Sequence, residues 1–307
     1  MDSGLLDKRL VIVTGKGGVG KSTIALALGF AAAAAGKRTI VCEVAAQENL
    51  SRIFHHSHVG FQEVEVAENL WAISIDPDES MREYVLLQLR VRPMGDLLFR
   101  SRVFSYLTAA TPGLRELVTV GKMWELAQPR RKVKEGRVYD LVIVDAPPTG
   151  HGVGFLQTPR TFANIARVGP IAAQAQALDS FITNRRKTAV AIVALPEEMP
   201  VNETAALERD LTSKVGMTVE RIYMNGLYPR RFNLAEEERI ATAAAATEGA
   251  ERAACLAALS ESRRAAAQGQ QLTRLEQLVD APVHRLPYLF EPEIGVEHVR
   301  KLAEVVL

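Results

Sequence analysis

Short, continuous apolar runs punctuate the chain at intervals. Leu10-Val11-Ile12-Val13-Thr14 is a β-branched run that stops at a cluster of glycines. Unbroken apolarity, rather than alternation, suits a parallel strand covered on both faces. Residues 24–35 are rich in Ala and Leu and predict a helix that Gly36 terminates. Residues 39–44 follow as a second buried strand. The chain therefore opens strand–loop–helix–strand, a parallel crossover unit. Similar runs recur at 70–75, 139–145, 188–195, 219–225 and 282–287, and a last helix is predicted over 296–306. The pattern predicts an α/β fold, a mostly parallel, doubly wound sheet of about six or more strands under helices.

Two stretches interrupt the alternation. Between Asp76 and Arg137 no strand stands out. Residues 81–90, 96–107 and 114–126 have helical spacing, with Leu97, Leu98, Val103, Phe104 and Leu107 on one face of the second. This predicts a helical insertion over 78–137, and a smaller helical piece over 160–183. Residues 234–278 also read as helix, weakened by Gly249 and Gly269. With no internal repeat and no linker, residues 1–307 are expected to form a single domain.

Composition narrows the function. The 307 residues hold 37 Lys+Arg against 36 Asp+Glu, a formal charge of +1. So even a balance argues against bulk nucleic-acid binding, which draws on a basic surplus. Two cysteines exclude a disulfide scaffold and a four-cysteine metal cage within one chain, though not a cluster shared across a dimer. The N-terminus lacks a basic segment followed by an apolar run, and the longest uncharged apolar stretch, 22–36, is too short to span a bilayer. A soluble, cytoplasmic protein is the expectation.

The strongest chemical signal is Gly15-Lys16-Gly17-Gly18-Val19-Gly20-Lys21-Ser22-Thr23, between the first strand and the first helix. Its core, Gly-x4-Gly-Lys-Ser, is a complete P-loop pattern. Glycines let successive backbone N–H groups turn inward on phosphates, and the helix N-terminus adds a positive dipole end. Lys21 is expected to reach the β- and γ-phosphates, and the Ser22 hydroxyl to ligate Mg²⁺. A chance glycine-rich turn is the bland alternative. Asp145 ends an apolar strand, where open parallel sheets place their ligands. There it can hold Mg²⁺ through water; otherwise it is a helix cap. Pro147-Pro148 stiffens the exit, Gly150 allows a turn, and His151 reads as scaffold rather than general base.

Lys16, directly after the first glycine, gives the loop the form Gly-Lys-Gly-Gly-x-Gly-Lys-Ser, which resembles the deviant P-loop ATPases. In that class this lysine reaches the partner's nucleotide across a dimer interface; the alternative is a solvated lysine. The resemblance extends further, to the ArsA/Get-type ATPases, which include arsenite-pump ATPases and tail-anchored-protein targeting factors. Asp145-Ala146-Pro147-Pro148-Thr149-Gly150-His151 resembles their second switch, and Phe155-Leu156-Gln157-Thr158-Pro159 continues it. Thr111-Pro112-Gly113, Glu203-Thr204, Asn225 and Leu286-Pro287-Tyr288 with Gly295 follow in the family's order. Val144 to Gly150 and Glu43-Val44 are similar to a short bacterial subgroup known from actinobacteria, whose members occur as paired paralogues.

The resemblance implies a dimeric switch that binds and hydrolyses ATP with Mg²⁺. Residues 15–23 would contact the nucleotide, Asn225, Pro287 and Tyr288 would hold the adenine, and Lys16, Lys21, Glu43 and Asp145 would serve catalysis. It further implies a homodimer or a heterodimer with a paralogue, a protein client for the helical insertion, and membrane contact at most indirect. A DNA-partitioning ATPase shares the loop, but the balanced charge and the second switch argue against it.

The chain departs from the pattern in places. Family members commonly carry Asp at the end of the second strand, where it acts on the attacking water; here Glu43 stands, longer by one methylene. Catalysis by Glu43 and a structural role both remain open, so a catalytically weak ATP-sensing scaffold, or a subunit of a paralogue heterodimer, is the alternative. The Cys-x-x-Cys that bridges targeting factors through zinc is absent: Ala258 and Glu261 stand there, and Cys255 is alone. Cys42 reads as core, and two cysteines cannot build a three-cysteine arsenite site. His55-His56-Ser57-His58 reads as a loop, with metal binding the alternative. Arg130-Arg131-Lys132-Val133-Lys134 reads as a solvated loop, with phosphate or headgroup contact the alternative. The apolar faces of 84–89 and 97–107 either pack within the insertion or form a client groove.

Overall fold

The computed structural model describes residues 4–44, 49–54, 59–88, 113–131, 133, 136–147, 149–166 and 169–307. Its strands are β1 (Leu10–Gly15), β2 (Thr39–Val44), β3 (Val64–Ala67), β4 (Leu70–Ile75), β5 (Leu141–Asp145), β6 (Thr188–Ala194), β7 (Val219–Leu227) and β8 (Val283–Pro287). They form one sheet in the order β3-β4-β2-β5-β1-β6-β7-β8. Neighbours run parallel except the β3–β4 edge pair. β1, β2, β4, β5 and β6 are buried along their whole length, as their unbroken apolarity requires. β3 gave no sequence signal because it is short, half-exposed and irregular in register.

The helices are α1 (Lys21–Ala34), α2 (Asn49–Phe54), α3 (Pro77–Gln88), α4 (Leu114–Leu126), α5 (Thr149–Ala166), α6 (Pro170–Ile182), α7 (Glu198–Asp210), α8 (Leu234–Ala246), α9 (Gly249–Leu278) and α10 (Val296–Ala303). They cover both faces. Val11, Val13, Val41 and Ile143 face a cluster with Leu26 of α1, Leu50 of α2 and Val299 of α10. Ile12, Ile40, Val142 and Val190 face the opposite cluster, with Met123 of α4, Phe155 of α5, Val201 of α7 and Leu275 of α9. The expected α/β doubly wound sheet is thus the observed one. α1 is apolar almost all round because it lies between sheet and α10. It ends as expected at Gly36, whose N–H bonds the Ala33 carbonyl while Lys37 N–H bonds Ala32, a Schellman closure.

Three expectations change. The helical piece placed at 160–183 is two helices, α5 and α6, and the first begins at Thr149 with Pro159 inside it. A proline lacks the N–H that a helix interior uses; Phe155 and Leu156 of α5, before Pro159, are packed in the core. Gly150 consequently lies in the first turn of α5 rather than in a free turn. Residues 234–278 divide at the extended Thr247 and Glu248. The predicted 96–107 helix and the His55–His58 cluster lie outside the described residues, whereas 114–126 is α4 as expected.

Arg131 is the clearest departure from a solvated loop. Its side chain is 1% exposed and pairs with Glu63 at 2.7 Å and with Glu125 at 2.8 Å. Tyr139 donates to Glu63 at 2.6 Å, and Lys122 pairs with Glu83 at 2.7 Å. Each buried charge thus meets its opposite, which is the condition for burying it at all. The network joins α3, α4 and the approach to β5, largely within the stretch expected as a helical insertion. Beside it, Met81, Tyr84, Leu117, Trp124 and Leu178 line a cavity of about 360 Å³ between α3, α4 and α6.

Candidate functional site

The sheet order places β1 between β5 and β6, with the chain proceeding to opposite edges from there. That is the switch point of a doubly wound sheet, outside whose strand ends ligands bind. The loop 16–20 opens there. Gly15 has φ +147 and Gly20 φ +95, conformations L side chains rarely adopt. A Cβ on Gly15 would collide with the Val193 carbonyl of β6, and one on Gly20 would lie 2.5 Å from Asn225 Nδ2. Gly15 and Gly20 are therefore each required, the one by the β6 backbone and the other by the Asn225 side chain.

α1 starts directly after Gly20, and its first residues are the site. Lys21 is buried, and its Nζ donates to the Lys16 carbonyl at 2.9 Å. Ser22 Oγ donates to Asp145 Oδ2 at 2.5 Å. Among the described residues the other carboxylate oxygen, Asp145 Oδ1, is buried without a hydrogen-bond partner. Burial pushes the Asp145 carboxyl up to about 6, against the opposing pull of the Ser22 hydroxyl and Lys21. Burial also lowers the Lys21 ammonium from its ordinary value, and Asp145 opposes that shift. An orphaned carboxylate oxygen beside a hydroxyl is a pair of hard oxygen donors, and such donors suit Mg²⁺.

Glu43, next to last in β2, lies opposite Asp145 in the parallel register. Two residues earlier on each strand, Val41 and Ile143 face α1, so Glu43 and Asp145 point to the α1 face as well. Glu43 is 1% exposed. Lys16 lies on the rim, its Nζ 2.9 Å from Glu203 Oε1 of α7. Asn225, at the exit of β7, donates from Nδ2 to the Val19 carbonyl at 2.9 Å, and so braces the loop itself. Gly17 and Gly18 lie in the loop itself, and Thr23 is the third residue of α1.

Pro287 ends β8, and Tyr288 N–H bonds the Leu227 carbonyl at 2.9 Å. The Tyr288 ring stacks on Tyr228 with centroids 4.7 Å apart, and Phe290 meets both edge-on. Tyr288 packs next to Gly226, so this aromatic platform adjoins Asn225. Tyr228 and Phe290 were not singled out from sequence; an aromatic just past a strand exit is the signal that points to them. Glu203 was noted only as part of an acidic-threonine pair, and its contact with Lys16 was not legible. Cys42 is buried core, its thiol raised by burial beyond reactivity, and Cys255 is partly exposed on α9. No cluster of His, Cys, Asp and Glu able to hold a metal occurs among the described residues.

A phosphate loop after the central strand of a doubly wound sheet, with an acid ending the neighbouring strand, defines a P-loop NTPase fold. The family model described as anion-transporting ATPase matches residues 8–169, and the chain belongs to that family. Among relatives, ATPase BagA of Mycobacterium tuberculosis is 34% identical over 201 residues, 64% of this chain and 58% of that protein. ATPase GET3 of Kluyveromyces lactis is 27% identical over 254 residues, 71% of this chain and 72% of that protein. The chain thus spans less than two thirds of the length of the mycobacterial relative.

Proposed function

We propose that this chain binds ATP with Mg²⁺ in the loop of residues 15–23 and hydrolyses it as a dimeric switch. One observation carries the reading: at the start of α1, beside the buried Lys21, Ser22 Oγ donates to one oxygen of the buried Asp145 carboxylate, whose other oxygen has no hydrogen-bond partner among the described residues. Ser22 and Asp145 would hold Mg²⁺, Asp145 through water. When bound, that ion supplies charge neutralisation for the β- and γ-phosphate oxygens.

The chain's own residues do the rest. Lys21 exchanges the neutral Lys16 carbonyl for anionic phosphate oxygens, pairing its ammonium with an opposite charge. The backbone of residues 15–20 and the α1 N-terminus orient the phosphates. The Glu43 carboxylate accepts a hydrogen bond from the attacking water and aligns it, in a buried site that strengthens such contacts. Lys16 reaches the nucleotide of the partner protomer, a second copy or a paralogue. Asn225, Pro287 and Tyr288 take the adenine.

Movement of the site is passed to the helices after β4, whose cavity between α3, α4 and α6 we assign to a protein client. The proposed location is the cytoplasm, with membrane contact at most indirect; among the described residues no helix is long and apolar enough to cross a membrane. Steady-state phosphate release, wild type against Lys21→Ala, tests the proposal. Turnover at least ten-fold above the variant is expected, a difference on the order of 1.4 kcal/mol; turnover equal to the variant's overturns it.

A further inference from the structure

Both lysines of the loop are engaged within their own chain. Lys21 takes the Lys16 carbonyl, and Lys16 takes Glu203, which lies 187 residues away in sequence. Glu203 is presented by a helix that is anchored on several sides. Asn202 Oδ1 accepts from Arg274 of α9 at 2.8 Å. Glu208 accepts the Asp280 and Ala281 N–H groups at 3.1 and 2.8 Å. At the far end, the chain passes through a π-turn, Leu211–Val215, and Arg160 of α5 donates to the Lys214 and Val215 carbonyls at 3.2 and 2.8 Å. The carboxylate therefore has a set position, and the mobile member of the pair is the lysine on its aliphatic stem.

We propose that Glu203 is an in-chain latch on Lys16: it holds the ammonium against its own protomer until a nucleoside polyphosphate competes for it. The inference rests on the ATP-binding reading above. Each side chain of the pair is 36% exposed, so the bond is screened and weak. Weakness is what a releasable latch requires, since several phosphate oxygens outcompete one carboxylate. While the latch is closed, only the fraction of molecules with Lys16 free presents it, and apparent phosphate affinity falls by that fraction. Glu203 acts through Lys16 and is a positioning residue.

Lysine acylation read by mass spectrometry, on nucleotide-free protein, tests the latch directly. Glu203→Gln should raise Lys16 labelling several-fold relative to the exposed Lys301; unchanged labelling overturns the inference. A non-hydrolysable ATP analogue should bind Glu203→Gln about two- to five-fold more tightly, the range a half-exposed ion pair supports. That gain should vanish in a Lys16→Ala background, the signature of a pairwise coupling. Weaker binding by Glu203→Gln, or a gain that survives without Lys16, also overturns it. If the wild type binds no analogue at all, the ATP-binding proposal falls, and the labelling result still decides the latch.

Discussion

Two glycines of one loop should respond differently to the same methyl group. At Gly15 the backbone has φ +147 and a Cβ would strike the Val193 carbonyl, an atom of the sheet that cannot step aside. At Gly17 nothing lies within 4 Å of the added atom. Gly15→Ala is expected to destabilise the fold by roughly 2 kcal/mol or more, whereas Gly17→Ala should leave its thermal midpoint unchanged. Differential scanning fluorimetry of the two variants checks the contrast. At this scale much of the site was legible in the sequence: Lys21, Ser22 and Asp145 are found where the loop pattern and the strand end put them. The Lys16–Glu203 and Asn225–Val19 contacts were not, because each joins residues more than 180 positions apart and no local pattern encodes such a meeting.

The elements around α4 depend on a buried ionic network rather than on propensity. Arg131 follows α4 in sequence and was read as solvated, since a run of basic residues before a strand carries no sign of burial. Its partners Glu63 and Glu125 come from two other positions in the chain, so only tertiary structure reveals that the guanidinium is enclosed. Replacing it with an apolar side chain leaves Glu63 without its paired cation and Glu125 with only the Lys122 ammonium, 3.5 Å away. Arg131→Met is expected to cost about 3–5 kcal/mol in urea denaturation, and a change under about 1 kcal/mol would show that the network contributes little. α5 teaches the complementary lesson. Expected from residue 160, the helix begins at Thr149 and runs through Pro159, with Phe155 and Leu156 on its earlier turns anchored in the core.

For the whole molecule, the same network sets part of the response to acid. Burial alone would raise the Glu63 carboxyl, but hydrogen bonds from Arg131 and Tyr139 outweigh it and hold the group below its unfolded-chain value of about 4.5. A depressed carboxylate contributes stability that is complete above the unfolded value and disappears as pH falls through the folded one. Stability should therefore hold from neutrality to about pH 5 and drop below about pH 4.5. Glu63→Gln should flatten that drop in denaturation curves taken from pH 3 to pH 7. The sheet itself was legible because every central strand is an unbroken apolar run; its edge at β3 was not, because an exposed four-residue strand lacks such a run.

The sheet order also sets a sequence of events in time. The loop's strand, β1, pairs with β5 and β6, and not with β2, its next strand in the chain. As the polypeptide emerges from the ribosome, β1 has both edges open until residues 141–145 arrive, and the second edge until 188–194. More than half the protein must be synthesised before its first motif has a floor to rest on. Newly made chains therefore pass through a long interval with a glycine-rich loop and two bare parallel edges, which favours protection by a chaperone or rapid late collapse.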